Sequence, residues 1–182
     1  MRTALWFTLA ALPWTLACER AEPPAPERVP SAAPASSLLA VGADAPDIVA
    51  TAHTGERVAL RDLRGKSVVL YFYPKDDTPG CTVEAQELSA LSKELASKDA
   101  VVIGVSTDGE ASHRAFAEKY SLSFLLLPDD QHQIAARFGV PVVGGKARRV
   151  TFIIGPDGKI ARVFPAVTPK GHGAEVLAAL GG

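Results

Sequence analysis

Strand-forming runs and helical patterns alternate along the chain from residue 38 onward, and this alternation restricts the folds available to it. The run Ser67–Tyr73 is rich in β-branched and aromatic residues, which is typical of a strand buried on both faces. Pro74 ends this run, and from Cys81 to about Ser97 apolar residues recur at spacings of three and four, which predicts a helix. The alternation favours an α/β domain of three layers, with a parallel sheet core and an antiparallel edge.

The other predicted elements extend the alternation on both sides of this strand and helix. We expect a small hairpin first, and then strand, helix, short strand, short helix, a second hairpin and a closing helix. Their predicted bounds are 47–52, 57–60, 100–106, 111–120, 124–127, 130–138, 149–154, 159–164 and 173–180. This order is compatible with a thioredoxin-like fold, although periodicity alone does not separate it from other mixed α/β folds.

The N-terminal part of the chain resembles a targeting segment. Arg2 precedes the uncharged apolar run Ala4–Ala17, which suits a signal-peptide core and is shorter than the roughly 20 residues of a membrane span. The run ends at Cys18 in a sequence that resembles a bacterial lipoprotein cleavage box, with Thr15 where Leu is usual. We expect a lipoprotein-like signal peptide over residues 1–17; plain secretion and a cytoplasmic protein with a misread start are the alternatives.

Residues 18–37 are rich in Pro, Ala, Ser and Glu, a composition that cannot bury enough apolar surface to fold. Its prolines favour an extended tether. Lipidation of Cys18 would cap its sulfur as a thioether and hold the protein on the periplasmic side of a membrane. Residues 38–182 would then be the folded domain, which is long enough to bury a full core without metal or disulfide staples.

Charge and cysteine content argue against several classes of protein. A formal net charge of −1 offers no basic surface of the kind that nucleic acids require, so we expect no nucleic-acid partner. The two cysteines, Cys18 and Cys81, stand in different settings, so a disulfide between them is not the first expectation. No Cys or His pair has zinc spacing, and we expect neither a metal nor another cofactor.

Cys81 is predicted to lie at the start of the helix that follows Pro74. Backbone N–H groups in a first helical turn lack intrahelical partners, and the helix dipole adds partial positive charge there. Both effects favour the thiolate, which is the nucleophilic form of the side chain. Because Glu84, Ala85 and Leu88 share the helix face of Cys81, its sulfur is expected to point inward.

The residues around this thiol carry a family resemblance. The pattern Pro74-x-x-x-Thr78-x-x-Cys81 resembles the active-site motif of the peroxiredoxins. The wider stretch Tyr73–Ala85 is similar to the bacterioferritin comigratory protein branch, also called peroxiredoxin Q. The resemblance covers about residues 38–180, and its further segments are 149–154, 157–160 and 172–177. It implies a thioredoxin-like three-layer sandwich with a central mixed sheet, and a thiol-dependent peroxidase that reduces hydrogen peroxide and organic hydroperoxides.

The resemblance also implies a role for each matching position. Cys81 would be the peroxidatic cysteine, Thr78 would hydrogen-bond sulfur and peroxide, and Pro74 would shield the pocket. Arg149 would stabilise the thiolate and the leaving oxygen, because a guanidinium is always charged and offers several fixed donors. Glu84 would orient that arginine.

Two further positions, Arg148 and Gln86, bear on these implied roles. Arg148 adjoins Arg149, but neighbours on a strand point to opposite faces, and the register Arg-x-Thr-Phe of the family selects Arg149. Many members of the branch carry a resolving cysteine five residues after the first, where this chain has Gln86. We therefore expect a one-cysteine mechanism, in which an external thiol, a thioredoxin-like protein or a small thiol, reduces the sulfenic acid. The branch also implies a monomer or weak dimer.

Other functions stay open on the residues alone. A tethered thiol–disulfide oxidoreductase would normally need Cys-x-x-Cys, and Glu84 occupies its second position. A copper-delivery module would need a second thiol or paired His or Met ligands, and a catalytically silent domain is also compatible. Lys75, Asp76 and Asp77 are expected to form a solvated loop. The histidines are expected at the surface or at helix ends, since they form no cluster; they are His53, His113, His132 and His172.

Overall fold

The computed structural model describes residues 37–181, so the predictions made for the signal peptide, the tether and Cys18 lie outside the described residues. The strands are β1 (Val49–Thr51), β2 (Arg57–Ala59), β3 (Ser67–Phe72), β4 (Ala100–Ser106), β5 (Leu125–Pro128), β6 (Val142–Val143), β7 (Lys146–Ala147), β8 (Val150–Ile154) and β9 (Ile160–Phe164). The α-helices are α1 (Pro79–Ala90), α2 (Ser92–Ser97), α3 (Glu110–Tyr120), α4 (Gln133–Phe138) and α5 (His172–Ala179), and Leu60–Leu63 forms a 3₁₀ turn.

Five strands form the central sheet, in the order β5-β4-β3-β8-β9. β3, β4 and β5 run parallel, whereas β8 pairs antiparallel with both β3 and β9. The predicted α/β domain with a parallel core and an antiparallel edge is therefore confirmed. β1 pairs with β2 and β6 with β7 in two small antiparallel hairpins outside this sheet.

The central strand β3 is buried on both faces, as its composition predicts. Leu70 and Phe72 lie in one apolar core, together with Phe138 from α4 and Phe152 from β8. Tyr71 and its alternate neighbours lie in the other core, which also contains Cys81 from α1. Burial of one large apolar side chain stabilises a fold by roughly 1.5–3 kcal/mol. The apolar side chains of the two cores therefore contribute strongly to holding the helices against the sheet.

Most predicted elements agree with the structure, and the main difference concerns the helix at Cys81. This helix begins at Pro79, two residues earlier than predicted, because the fixed φ and missing N–H of proline suit the first helical position. The predicted helix over 81–97 is two helices, which meet at Leu91 with φ −90° and ψ 10°. Among residues 37–181, no helix combines the length and the apolar character needed to cross a bilayer.

The expectation of surface histidines is wrong for His53 and His113, which are buried, and His172 begins a helix but is also buried. Each has a hydrogen-bond partner that is distant in sequence: Leu126 for His53, Asp76 for His113 and Thr151 for His172. The Nδ1 atom of His53 accepts a hydrogen bond from the Leu126 N–H at 3.1 Å, and burial lowers the pKa of this imidazole. Tertiary packing therefore places these polar rings in the interior with their hydrogen bonds satisfied in part.

Candidate active site

Cys81 is the third residue of α1, and its side chain is 1% exposed. Thr78 is the N-cap residue in extended conformation, and its carbonyl accepts a hydrogen bond from the Thr82 N–H at 2.9 Å. Glu84, Ala85 and Leu88 are buried on the same side of α1, so the prediction of an inward-pointing sulfur is confirmed. The thiol thus lies in the first turn, where backbone N–H groups and the helix dipole favour negative charge.

Arg149 joins this thiol to Glu84. Its Nη2 donates a hydrogen bond to the Cys81 Sγ at 3.2 Å, and its Nη1 donates to the Glu84 carboxylate. Arg149 directly precedes β8, and Val150 at the start of β8 pairs with Phe72 at the end of β3. The pairing brings the arginine to the end of the sheet from which the chain leads into α1.

The Arg149 side chain is 15% exposed and the Glu84 carboxylate is fully buried. Burial raises the pKa of Glu84 to about 7, although the charge and hydrogen bond of Arg149 act in the opposite direction. For Arg149, burial lowers the pKa, but Glu84 and the Cys81 sulfur raise it overall. The guanidinium is therefore a fixed cation between two acidic groups.

Gly80, which directly precedes the thiol, lies close to both Pro169 and Arg149. A Cβ at Gly80 would lie 3.5 Å from the Arg149 Nη2 and 3.3 Å from the Pro169 Cγ, the second being closer than most such contacts. A glycine before the thiol therefore eases the close approach of Pro169 to the first turn of α1, whereas the distance to Arg149 is an ordinary van der Waals contact.

The loop before α1 is held by a buried carboxylate, contrary to the prediction of a solvated loop. Asp76 is 6% exposed and accepts hydrogen bonds from the Tyr73 hydroxyl at 2.7 Å, the Ser112 hydroxyl at 2.7 Å and the His113 Nδ1 at 2.9 Å. Its own N–H donates to the Asp108 carboxylate at 2.8 Å. Burial acts to raise the pKa of Asp76, but these hydrogen bonds and the His113 charge lower it overall.

Asp77 ties the same loop to α3 from the outside. Its carboxylate accepts hydrogen bonds from the Lys119 Nζ at 2.7 Å and the Tyr120 hydroxyl at 2.6 Å. The residue has φ 53°, a left-handed conformation that aspartate tolerates better than most residues. Lys75 is exposed, as expected. Of the three loop residues, Asp76 is therefore buried, Asp77 is hydrogen-bonded to α3 and Lys75 lies in solvent.

Thr78 and Pro74 lie beside the thiol in sequence, without a hydrogen bond to it. The Thr78 hydroxyl donates to the Lys75 carbonyl at 3.0 Å, so its proton is engaged within the loop and its lone pairs can accept from another group. Pro74 follows the end of β3 and is half-buried. Their predicted roles toward a peroxide stay predictions, as do those of Cys81, Arg149 and Glu84.

Glu87 joins α1 to α5, a contact that sequence reasoning missed. Its carboxylate oxygens accept from the Gly171 N–H at 2.9 Å and the Gly173 N–H at 3.3 Å, at the start of α5. Gln86, beside it, points to solvent. A carboxylate at the positive end of a helix is a favourable contact, so the middle of α1 is anchored while its first turn is free of this clamp.

The described residues contain one cysteine, Cys81, and it is free. No group of three or more His, Cys, Asp or Glu side chains able to hold a metal ion occurs within 37–181. The chemistry that this arrangement supports is that of a buried nucleophilic sulfur beside a fixed cation.

Comparison with known proteins identifies the family. The sequence profile of the AhpC/TSA family matches residues 41–163. The chain belongs to this family of peroxiredoxins. As a peroxiredoxin it is a thiol-dependent peroxidase with the thioredoxin-like fold, in agreement with the resemblance carried by Pro74, Thr78 and Cys81.

Relatives place this peroxiredoxin in the Bcp, or peroxiredoxin Q, branch. It is 43% identical over 149 residues to peroxiredoxin Bcp of Bacillus subtilis, an alignment that covers 78% of this chain and 95% of the relative. It is 40% identical over 146 residues to peroxiredoxin Bcp of Escherichia coli K12, which covers 76% of this chain and 94% of the relative. Nearly the whole length of each relative therefore aligns with this peroxiredoxin.

Solved structures agree. Xanthomonas campestris peroxiredoxin Q superposes with a TM-score of 0.73 at 33% identity, covering 78% of this chain and 96% of that one. The bacterioferritin comigratory protein of the same organism, studied for its alkyl peroxide reduction activity, has a TM-score of 0.73 at 32% identity over 78% and 98% of the two chains. The mixed sheet flanked by helices is thus the peroxiredoxin fold.

Proposed function

We propose that Cys81 is the peroxidatic cysteine of this peroxiredoxin. The observation that carries the proposal is the hydrogen bond from Arg149 Nη2 to the buried Cys81 Sγ, at the start of a helix. The cation and the helix terminus both stabilise a thiolate, which attacks the terminal oxygen of a peroxide.

The attack forms a sulfur–oxygen bond and breaks the oxygen–oxygen bond, so that Cys81 becomes a sulfenic acid and the departing oxygen leaves as alkoxide or hydroxide. The guanidinium of Arg149 stabilises the negative charge that moves from sulfur to this oxygen. The Thr78 hydroxyl, whose proton is directed at the Lys75 carbonyl, accepts a hydrogen bond from the peroxide O–H. Pro74, half-buried at the end of β3, shields the pocket.

We further propose that recycling depends on an external thiol. Gln86 occupies the position of the resolving cysteine in many members of the branch, and Cys81 is the free cysteine of the described residues. The external thiol, a thioredoxin-like protein or a small thiol, attacks the sulfenic acid to give a mixed disulfide and water, and a second thiol releases Cys81. Since Cys81 is 1% exposed, the first turn of α1 must open to admit this thiol.

Hydrogen peroxide and organic hydroperoxides are the proposed substrates. Support for the organic class comes from the related X. campestris protein, whose structure was studied together with its alkyl peroxide reduction activity. Both substrates share the terminal O–OH group that the thiolate attacks, so the same contacts serve both.

The test measures peroxide consumption by the full chain with a panel of thiol donors. We expect rapid consumption by the wild type, none by Cys81→Ser, and normal consumption by the matched control Cys18→Ser. Mass spectrometry after one equivalent of peroxide should show a sulfenic adduct or a mixed disulfide on Cys81. Activity in Cys81→Ser would contradict the assignment, and an intramolecular disulfide as main product would contradict the one-cysteine mechanism.

The N-terminal sequence supports a proposal about location. We propose that Cys18 is lipidated after cleavage of residues 1–17, so that residues 18–37 tether the enzyme to the periplasmic side of a membrane. The support is the apolar run that ends in a small residue followed by Cys18. Metabolic labelling with a fatty acid should mark the wild type in the membrane fraction and leave Cys18→Ser unlabelled; a wild type without label would contradict lipidation.

A further inference from the structure

The guanidinium of Arg149 contacts two acidic side chains in the site, the Cys81 thiol and the Glu84 carboxyl group. The two ends of the Arg149 guanidinium contact different partners, the Cys81 Sγ at 3.2 Å and the Glu84 carboxylate. Cys81 is 1% exposed and Glu84 is fully buried, so water compensates little of the charge on either acid. The protonation of one acid therefore bears directly on that of the other.

A count of charges shows which state the site prefers. With the thiolate and the carboxylate both ionised, the three groups carry a net charge of −1, and two negative charges compete for one guanidinium. With one proton on either acid, the three groups are neutral together. Because like charges in a buried site disfavour each other, the neutral states are preferred, and a Cys81 thiolate favours a protonated Glu84.

The neighbours of Glu84 do not supply a second cation among the described residues. Glu87 on α1 is negative and bound to the amides at the start of α5. His172 on α5 forms hydrogen bonds with Thr151 and Glu175. Burial lowers the pKa of His172, although the Glu175 carboxylate acts in the opposite direction, so the imidazole is neutral.

The strand beneath Glu84 adds no positive charge either. Tyr71 on β3 is buried with a hydroxyl that has no partner among the described residues, and burial raises its pKa, so it is neutral as well. The second carboxyl oxygen of Glu84, Oε1, also has no hydrogen-bond partner there. An ionised carboxylate with one bare oxygen in this apolar environment is costly, which favours its protonated form.

We propose that Glu84 stores, while Cys81 is a thiolate, the proton that the departing oxygen takes up when the peroxide bond breaks. This role rests on the peroxidase function proposed for Cys81. In the reduced site, sulfur is anionic and Glu84 is protonated. Attack transfers the peroxide OH to sulfur, and the departing RO⁻ gains a proton while Glu84 loses one. The products are a neutral sulfenic acid, an alcohol or water, and a Glu84 carboxylate paired with Arg149.

Electrons and charges balance in this step. Sulfur is oxidised and the peroxide is reduced by two electrons, and the cluster is neutral before and after. Glu84 acts through Arg149 and is a positioning residue that also holds a proton. Orienting the arginine alone would need only an acceptor at this place, whereas storage needs a group that titrates.

The test compares departing groups of different basicity in Glu84→Gln, which keeps an acceptor for Arg149 but holds no acidic proton. tert-Butyl hydroperoxide releases a strongly basic alkoxide, and peracetic acid releases the weakly basic acetate, which needs no proton. Per thiolate present, we expect a loss of roughly 100-fold with the hydroperoxide and little change with peracetic acid. The thiolate fraction at neutral pH, read from ultraviolet absorbance, should rise because the competing acid is gone.

A merely orienting Glu84 would give the same loss with both oxidants, and that result would overturn the proposal. Glu87→Gln is the matched control, since it removes a carboxylate from the same helix away from Arg149; the ratio of the two rates should stay as in the wild type. If the wild type consumes no peroxide, the function proposed for Cys81 fails instead.

A second measurement is decided by the wild type and does not depend on the folding of a variant. Infrared difference spectra of the reduced protein before and after one equivalent of peroxide should show the loss of a protonated carboxyl band. This band should be missing from Glu84→Gln if that variant folds. No loss of such a band in the wild type would overturn the proposal.

Discussion

The guanidinium Nη2 of Arg149 lies 3.2 Å from the sulfur of Cys81, although 68 positions separate the two residues in the chain. The antiparallel pairing of β8 with β3 creates this contact, because Val150 stands opposite Phe72 at the end of β3 from which the loop leads to α1. The cation beside the thiol is therefore brought there by strand pairing and does not come from the local sequence motif.

Removal of this charge should slow the enzyme. We expect Arg149→Ala to lower peroxide consumption roughly 100-fold, as for other lost donors to a developing anion, and to reduce the thiolate fraction at neutral pH. The peroxide consumption of Arg149→Lys should lie between that of the wild type and that of Arg149→Ala. An ammonium keeps the charge but lacks the forked donors that span Cys81 and Glu84. Arg148→Ala, an exposed neighbour, is the control and should behave as wild type. An unchanged thiolate fraction in Arg149→Ala would contradict the role of Arg149.

A thiol at position 86 should report the opening of α1. Residues five apart in a helix are separated by about 7.5 Å along its axis, which is beyond the reach of a disulfide. After peroxide, Gln86→Cys should form an intramolecular disulfide with Cys81 only when the first turns of α1 unwind, and Gln86→Ser should form none. Adding Glu87→Gln, which releases the clamp on α5, should speed the disulfide, measured by mass spectrometry after quenching. Equal rates with and without the clamp would show that Glu87 does not restrain α1.

The buried carboxylate of Asp76 should matter for both stability and activity. Asp76→Ala removes the acceptor for three buried or part-buried donors, on Tyr73, Ser112 and His113, at about 1–3 kcal/mol for each donor left unpaired. We expect a free energy of unfolding lower by about 3 kcal/mol or more in urea titrations, and slower peroxide consumption because the loop that carries Thr78 loosens. Asp77→Ala, whose ion pair with Lys119 is exposed, is the control and should lose less stability.

Acid should destabilise the protein partly through His172. Burial lowers the pKa of His172 below its ordinary value of 6.5, so the unfolded chain binds a proton that the folded one resists. The stability that this neutral imidazole contributes is complete above about pH 6.5 and is lost as the pH falls below that value. We expect His172→Gln to lose less unfolding free energy than wild type on acidification below pH 6.5. Parallel pH profiles for the two proteins in urea titrations would contradict this.

Much of the fold could be predicted from local patterns. The run Ser67–Tyr73 identified β3 because a strand buried on both faces needs continuous apolar residues, and Pro74 identified its end. The break at Leu91 was missed because the apolar spacing of three and four continues across it. The position of Cys81 in a first helical turn followed from the motif, since helix starts depend mainly on residues close in sequence.

Some features of the site could not be predicted in this way. Asp76 was predicted to belong to a solvated charge run and His113 to lie at the surface. The two side chains instead form a buried hydrogen bond with each other. The Glu87 contact with the start of α5 had no sequence signal either, since the residues it joins are 84 or more positions apart. Burial of a polar group is decided by a partner, and the partner lies on another element.

By itself, the amino-acid sequence determined the order of strands and helices, the thiol at a helix start and the absence of a resolving cysteine at Gln86, because these depend on neighbours within a few residues. The family resemblance implied roles for Arg149 and Glu84, but only the tertiary structure decided that the Arg149 guanidinium contacts both the Cys81 sulfur and the Glu84 carboxylate. The physical reason is that a buried charge is stable only beside its counter-charge, and here the pairing of β3 with β8 brings the two together.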